Sequence, residues 1–224
     1  MQEIKDDKFI QEVASQSDIS RYFSDFELKG VKLFIAKRGE QILYQGQTTE
    51  YLFYMLSGRA KLSETMPNGC VVLIDFLIAP CFIGEMELLG LREDTLLVQA
   101  LENCLLLALP FSRYQMPLAK DAKFLRSMCI AIGQKERKKA RALTYINAYP
   151  LTNRYALFLI ETSNDGVCRD RQIDIAQYLG VSSRHLRKVT AEFIQKGYLT
   201  HDGRYLRIAN YDYLKKLVSE IYGR

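Results

Sequence analysis

The sequence predicts an α+β fold with an N-terminal β-roll, a long helix and a C-terminal helical segment that carries a β-hairpin. Residues 31–109 alternate short apolar runs with turn signals about every ten residues, which is typical of an all-β sandwich or roll. Residues 121–148 carry an apolar stripe at helical spacing, interrupted by the charged run 135–139. Residues 172–208 show two short helical patterns and then a hairpin signal. The predicted boundaries are 1–120, 121–148 and 149–224.

The first segment is predicted to begin with helix and to continue as strands. Apolar residues recur at helical spacing over 3–29. Glycine and proline then separate the strands, and Pro67-Asn68-Gly69 marks a hairpin tip. Glu85–Leu91 is predicted to form a short helix after Gly84, and Ala100–Leu109 to form the last strand.

The long helix is the sequence's main indication of oligomeric state. A helix of about 27 residues is about 40 Å long, which exceeds what one small domain needs. Such helices usually pair, and the most economical partner is a second copy of the same chain. The pattern therefore predicts a dimerisation helix and a homodimer. The alternative is a helix that packs along its own β domain.

Two short helices joined by a tight turn are predicted between Gln172 and Gln195. Gly180 lies where the chain must turn sharply, and glycine adopts the required backbone without steric cost. Ser182 can accept a hydrogen bond from the free N–H groups of the next helix and so begin it. The hairpin with its Asp202-Gly203 turn follows, so the segment is predicted to be a winged helix-turn-helix.

The outer face of the second helix is polar and basic, which suits a DNA major groove. The dipole and N–H groups of an exposed helix start favour phosphate, while Arg and Lys can reach guanine edges. Two arginines of the hairpin are placed to meet phosphate. The predicted DNA-contacting residues are Ser182, Ser183, Arg184, His185, Arg187, Lys188, Arg204 and Arg207. The alternatives are a two-helix corner inside an enzyme and a structural role without DNA.

The charge distribution agrees with a nucleic-acid partner. The net charge of +5 conceals an asymmetry between the two halves of the chain. Residues 1–120 hold 12 Lys/Arg and 16 Asp/Glu, which gives −4. Residues 121–224 hold 19 Lys/Arg and 10 Asp/Glu, which gives +9. A basic half joined to an acidic half predicts that only the second half meets a polyanion.

Composition excludes several other classes of protein. The apolar runs are too short or too interrupted to span a bilayer, and the charged first residues give no secretory signal, so we expect no membrane contact and a cytoplasmic location. The five cysteines form no CxxC pair, which argues against zinc and favours small buried thiols; a redox role for one of them stays open. Residues 31–110 contain no histidine, so the metal set of roll-shaped enzymes is absent and no enzyme is expected.

Three motifs, together with the order of the elements, carry a family resemblance. They are Leu52–Gly58, Phe82–Glu85 and Ile173–Val189. Over nearly the whole chain they resemble the Crp/Fnr family of bacterial transcription regulators, and more narrowly its YeiL-like branch. The first motif is similar to the opening of the family's cyclic-nucleotide-binding-like β-roll, a jelly-roll. The second is similar to its phosphate-binding cassette, and the third to its DNA-reading helices.

The resemblance implies an effector pocket, with departures that change its ligand. Members that bind cyclic AMP hold the cyclic phosphate with an Arg-Ser pair, where this chain has Asp94 and Thr95; an acidic side chain repels phosphate. Lys139 and Ala140 replace two hydroxyl residues that meet the adenine. We therefore expect a non-nucleotide effector such as a thiol or peptide, or a ligand-free scaffold. The pocket residues implied by the resemblance are Phe82, Gly84, Glu85, Asp94, Thr95 and Lys139.

The resemblance also bears on cofactors and partners. Iron–sulfur members hold their cluster mainly with N-terminal cysteines, whereas no cysteine precedes Cys70 here, and haem has no axial pair, so no cofactor is expected. Ser183, Arg184 and Lys188 occupy the base-reading places, and only the last matches the catabolite activator in charge. The implied function is a homodimeric, sequence-specific DNA-binding regulator. Its implied partners are a near-palindromic double-stranded operator and RNA polymerase.

Overall fold

The computed structural model describes residues 1–25 and 29–222. The chain divides into two compact units, Met1–Gln134 and Lys135–Arg224. Among the described residues, none of the helices combines the length and the apolar character that a membrane crossing requires.

The first unit is a β-roll of two antiparallel sheets, flanked by helices. Its strands are β1 (Gln2–Ile4), β2 (Lys32–Ala36), β3 (Gln41–Leu43), β4 (Tyr51–Ser57), β5 (Arg59–Thr65), β6 (Val71–Ile78), β7 (Cys81–Ile83), β8 (Leu97–Ala100) and β9 (Cys104–Pro110). One sheet has the strand order β1-β2-β9-β4-β7 and the other β3-β8-β5-β6. Its helices are α1 (Asp7–Gln16), α2 (Glu85–Leu88), α3 (Phe111–Leu118) and the start of α4 (Ala122–Ala148). The predicted roll and long helix are confirmed.

The first sheet is covered on both faces, which explains the unbroken apolar run of β4. Phe53 and Met55 face the second sheet, within a cluster that also holds residues of β3, β5 and β8. Leu52 and Tyr54 face the opposite way, onto α1, α3 and the first turns of α4. Because successive residues of a strand point to opposite faces, a strand between two apolar layers needs no polar alternation.

The N-terminal prediction is partly wrong. Residues 3–29 were expected to be helical, but Gln2–Ile4 form β1, which pairs antiparallel with β2 and places Ile4 opposite Leu33. Pairing with an available sheet edge outweighs the local preference of so short a segment. Helix α1 follows, then a 3-10 turn at Asp18–Tyr22. Residues 26–28 of the predicted helix lie outside the described residues.

The second unit has the predicted winged helix-turn-helix. Its elements after α4 are α5 (Leu151–Thr162), β10 (Val167–Cys168), α6 (Gln172–Tyr178), α7 (Ser183–Gln195), β11 (Leu199–Asp202), β12 (Tyr205–Ile208) and α8 (Tyr211–Tyr222). Helices α6 and α7 meet at Gly180, whose φ of +66° is in the left-handed region that favours glycine. Strand β10 was not predicted; it adds a third strand to the hairpin, in the order β10-β12-β11.

Candidate nucleic-acid interface

Helix α7 has one face that fixes it to the unit and one face that is free. Its start is capped as predicted, because the Ser182 hydroxyl accepts a hydrogen bond from the His185 backbone N–H at 3.2 Å. The inward face places Leu186 at 0% exposure and Val189 and Phe193 in the core. The helix is therefore held by apolar packing along one side only.

The opposite face of α7 carries the predicted base-reading and phosphate residues. Arg184, His185, Arg187 and Lys188 are exposed, and Ser183 is half-buried. Arg187 donates from Nε to the Ser183 carbonyl at 3.2 Å. Arg184 and Lys188 form no hydrogen bond or ion pair with any residue that the structure describes. Their charges are therefore available to an external polyanion.

The two hairpin arginines lie in different electrostatic settings. Arg204 is exposed beside the turn and donates to the Tyr205 hydroxyl at 2.7 Å. Arg207 donates from Nε to the Asp202 carboxylate at 3.1 Å and from Nη1 to the Asp165 carbonyl at 3.4 Å. The Asp202 charge offsets that of Arg207, so Arg204 carries the stronger uncompensated charge of the hairpin.

A buried polar network supports α7 from beneath. The Thr190 hydroxyl on α7 lies 3.2 Å from the Tyr155 hydroxyl on α5 and 3.3 Å from Gln172 Oε1 on α6. Tyr155 has 0% exposure, and its ring stacks on Phe193 at 5.7 Å between centroids. Burial raises the pKa of the Tyr155 phenol to about 12. One hydroxyl of α7 therefore lies within hydrogen-bond distance of groups on both α5 and α6.

Tyr155→Phe is expected to change how the second unit responds to alkali. The folded state holds the phenolic proton more tightly than the unfolded chain, whose pKa is about 10. The stability that Tyr155 contributes is thus complete below about pH 10 and is lost as pH rises toward about 12, by about 2 to 3 kcal/mol. Urea unfolding at a series of pH values should show this loss in the parent and less of it in Tyr155→Phe. The exposed Tyr211→Phe is the matched control; an equal effect there would contradict the assignment.

Arg154 is a positioning residue that the sequence did not reveal. Its guanidinium donates to the Leu179 carbonyl, which ends α6, at 2.5 Å, and to the Tyr149 carbonyl at 3.2 Å. Carbonyls at helix ends lack intrahelical partners, so a cation there satisfies them and offsets the helix dipole. The available signal was a pair of polar residues, Asn153 and Arg154, directly before the apolar run Tyr155–Ile160.

The residues implied to line an effector pocket have other partners in the structure. Phe82 is 6% exposed and packs against Tyr54, with ring centroids 4.8 Å apart. The Thr95 hydroxyl is buried and bonds the carbonyls of Tyr44 and Gln47. Asp94 is exposed, with its carboxylate 3.8 Å from the Arg92 guanidinium.

The cassette residues Gly84 and Glu85 fill a tight corner. Gly84 has a φ of +93°, and a Cβ there would lie 2.9 Å from the Tyr51 carbonyl oxygen, so close backbone approach requires glycine. Glu85 is buried and opens α2. Lys139 belongs to the second unit and bonds Glu136 of the same helix at 2.7 Å.

The five cysteines differ in exposure, and Cys81 is half-buried. Cys104 and Cys168 are buried, as expected, and burial raises the pKa of the Cys104 thiol to about 11. The expectation of buried thiols is wrong for Cys70 and Cys129, which are exposed because one follows a hairpin tip and the other lies on the outer side of α4. The described residues contain no group of His, Cys, Asp or Glu that could hold a metal ion.

Comparison with known proteins decides the family. A model of the cyclic nucleotide-binding domain matches residues 34–121. The regulatory protein YeiL of Escherichia coli O157:H7 is 39% identical over 190 residues, which cover 85% of this chain and 87% of YeiL. The chain belongs to the Crp/Fnr family, in its YeiL-like branch. The expectation of a regulator and not an enzyme is confirmed by these relatives.

Solved structures show that this Crp/Fnr chain shares its fold with distant members. A Crp/Fnr-family transcriptional regulator from Thermus thermophilus has a TM-score of 0.70 at 21% identity, over 84% of this chain and 98% of that one. The c-di-GMP-responsive global regulator CLP of Xanthomonas campestris has a TM-score of 0.70 at 16% identity, over 91% and 100%. At these identities the likeness concerns the fold.

Proposed function

We propose that this Crp/Fnr-family chain is a homodimeric regulator that binds specific DNA sequences with α7. The observation that carries the proposal is the exposed start of α7, where Arg184 and Lys188 have no ion-pair partner among the described residues. The inward face of the helix is locked by packing and by the Thr190 network, so these cations are presented on a rigid support.

The proposed docking follows from the geometry of B-DNA. The recognition helices of two copies enter successive major grooves, about 34 Å apart, on a near-palindromic operator. Arg184 and Lys188 read base edges. The remaining contacts go to phosphate and fix the position on the duplex. These positioning residues are Ser182, His185, Arg187, Arg204 and Arg207, while Ser183 occupies a base-reading place.

Arg184→Ala is expected to weaken operator binding by about 1–3 kcal/mol and to relax preference at one base pair. A bidentate Arg–guanine contact is lost, while phosphate contacts remain. The test is competition binding against a set of single-base operator variants. Lys216→Ala, an exposed cation on α8, should leave both affinity and preference unchanged. If Arg184→Ala ranks every operator variant as the parent does, the base-reading assignment is wrong.

The operator itself is found by selecting bound sites from random duplexes, with and without a small-molecule extract. Recovery of one near-palindromic motif by the full-length chain supports sequence-specific binding. Recovery of unrelated sequences in both conditions would argue for a structural role without specific DNA.

The roll is proposed to sense a small molecule that is not cyclic AMP, with a ligand-free scaffold as the alternative. Asp94 occupies a place where a cyclic-nucleotide-binding member has a residue that holds the phosphate. The Thr95 hydroxyl already bonds the Tyr44 and Gln47 carbonyls. Both observations argue against cyclic AMP and agree equally with another ligand or with a ligand-free roll. An effector acts by preferring one of two arrangements of α4. Thermal-shift screening of the full-length protein separates them, because only a sensor gains stability from a ligand.

The proposed functional domains have the boundaries that were predicted from the sequence. Residues 1–120 form the sensor, 121–148 the dimerisation helix and 149–224 the DNA-binding domain. RNA polymerase is the proposed partner for transcriptional output. DNA binding also places the protein in the cytoplasm, as part of the same proposal.

A further inference from the structure

The sequence contains two histidines, and both lie in the second unit, His185 on α7 and His201 on β11. Histidine is the side chain whose ordinary pKa places its change of charge within the range from about pH 5 to 8. The DNA phosphodiester stays negatively charged over this whole range. A response of DNA binding to pH between about 5.5 and 7.5 is therefore expected to arise at one of these two side chains.

The position of His185 around the axis of α7 places it on one flank of the outward face. Successive residues of an α-helix are about 100° apart, so Arg184 and Lys188 lie about 40° apart and opposite the buried Leu186. His185 lies about 60° to one side of this pair, and Arg187 lies about 60° to the other side. In a helix that enters a major groove, the central residues face base edges and the two flanks face the two sugar–phosphate backbones. His185 is therefore placed to meet a phosphate.

The imidazole of His185 is available to an external group. The side chain is exposed, and it forms no hydrogen bond or ion pair with any residue in the part of the chain that the structure describes. Its backbone N–H donates to the Ser182 hydroxyl at 3.2 Å. The charged residues nearest to it along α7 are the cations Arg184, Arg187 and Lys188. The first two turns of α7 thus offer it no negative charge.

The elements that pack against α7 supply no counter-charge to His185 either. They are α5, α6 and β11. Their titratable and charged residues are Arg154, Tyr155 and Glu161 on α5, Asp174 and Tyr178 on α6, and His201 and Asp202 on β11. Asp174 accepts a hydrogen bond from Arg171 at 2.8 Å, and Asp202 accepts one from Arg207 at 3.1 Å. A DNA phosphate is therefore the negative charge that this imidazole is placed to meet.

We propose that His185 makes DNA binding sensitive to pH, because its imidazole takes up a proton when it contacts a backbone phosphate. This inference rests on the proposed function, in which α7 enters the major groove. A neutral imidazole donates one N–H, whereas a protonated imidazole donates with a full positive charge, and charge-assisted hydrogen bonds are about twice as strong. The DNA-bound state favours the protonated form, so the additional affinity is present at low pH and is lost as pH rises.

The pH dependence of operator binding tests the proposal. Fluorescence anisotropy of the full-length protein, with a labelled duplex recovered by selection, measures the dissociation constant from pH 5.5 to pH 7.5 at constant ionic strength. The dissociation constant is expected to rise with pH by about tenfold or more, because each of the two copies loses one ionic contact. For the same reason, the slope of log affinity against log salt should be steeper by about 2 at pH 5.5 than at pH 7.5.

Three variants assign the effect to one side chain. His185→Gln keeps a hydrogen-bonding group without a titratable charge, and its binding should depend little on pH. His185→Arg carries a permanent charge and should keep tight binding at pH 7.5. His201→Gln is the matched control and should show the pH dependence of the parent. In the β11–β12 register His201 lies opposite Leu206 and Thr200 lies opposite Arg207, so His201 is on the hairpin face away from Arg207.

The outcomes separate this inference from the proposed function. An operator affinity of the parent that does not change with pH, or a pH dependence that survives in His185→Gln, overturns the role of His185 while DNA binding stands. A parent that binds no selected duplex more tightly than a random one at either pH overturns the proposed function and this inference with it. Circular dichroism at both pH values checks that each variant is folded.

Discussion

Raising the salt concentration from about 50 to about 200 mM is expected to weaken operator binding by about a thousandfold. Arg187, Arg204 and Arg207 are the cations assigned to phosphate, which gives about six charged contacts in the dimer. Each contact releases condensed counterions and adds about 0.9 to the slope of log affinity against log salt. Fluorescence anisotropy with a labelled operator duplex measures this slope. A slope near zero would remove DNA from the proposed function.

The two hairpin arginines allow an internal comparison within the same measurement. Arg204→Gln should flatten the slope by about 2, because it removes one contact from each copy. Arg207→Gln should flatten it less, since Arg207 is already paired with Asp202. Lys216→Gln on α8 is the control for a change in net charge alone. Equal slopes for all three variants would contradict the assignment of the hairpin to phosphate.

The sequence predicted correctly those elements whose formation depends on a few neighbouring residues. Gly180 and Ser182 predicted the helix-turn-helix because a tight turn and a helix cap are each decided by a few neighbouring residues. Strands β1 and β10 were missed because each is three residues or fewer and exists only through pairing with a distant strand.

The sequence predicted the exposed residues of the candidate interface but not the buried contacts that hold helix α7 in place. Arg184 and Lys188 follow from the period of the helix, since inward positions are apolar and the remainder must face outward. The contacts of Tyr155 with Thr190 and of Arg154 with Leu179 join residues 35 and 25 positions apart. No local pattern encodes such pairs. The ion pair between Arg207 and Asp202 was likewise invisible, although both residues were recognised as part of the hairpin.

The motif Phe82–Glu85 was expected to line an effector pocket. In the structure Phe82 instead packs against the chain's own aromatic side chains. Phe82 lies in an aromatic cluster on the outer face of the first sheet. Its ring centroid is 4.8 Å from that of Tyr54, 5.1 Å from Tyr22 and 6.1 Å from Phe124, the last two edge to face. Phe124 in turn stacks on Phe23 at 5.5 Å. Such pairs contribute beyond the area they bury.

Phe82→Ala is therefore expected to lower the free energy of unfolding by about 3–5 kcal/mol, because it leaves a cavity among rings that cannot collapse into it. Urea unfolding of the full-length protein, followed by tyrosine fluorescence and circular dichroism, measures the change. Met116→Ala is the matched control, since Met116 is 65% exposed and its truncation leaves no cavity. A Phe82→Ala protein as stable as the parent, but altered in its response to an effector, would show that Phe82 faces a ligand and that the aromatic cluster does not depend on it.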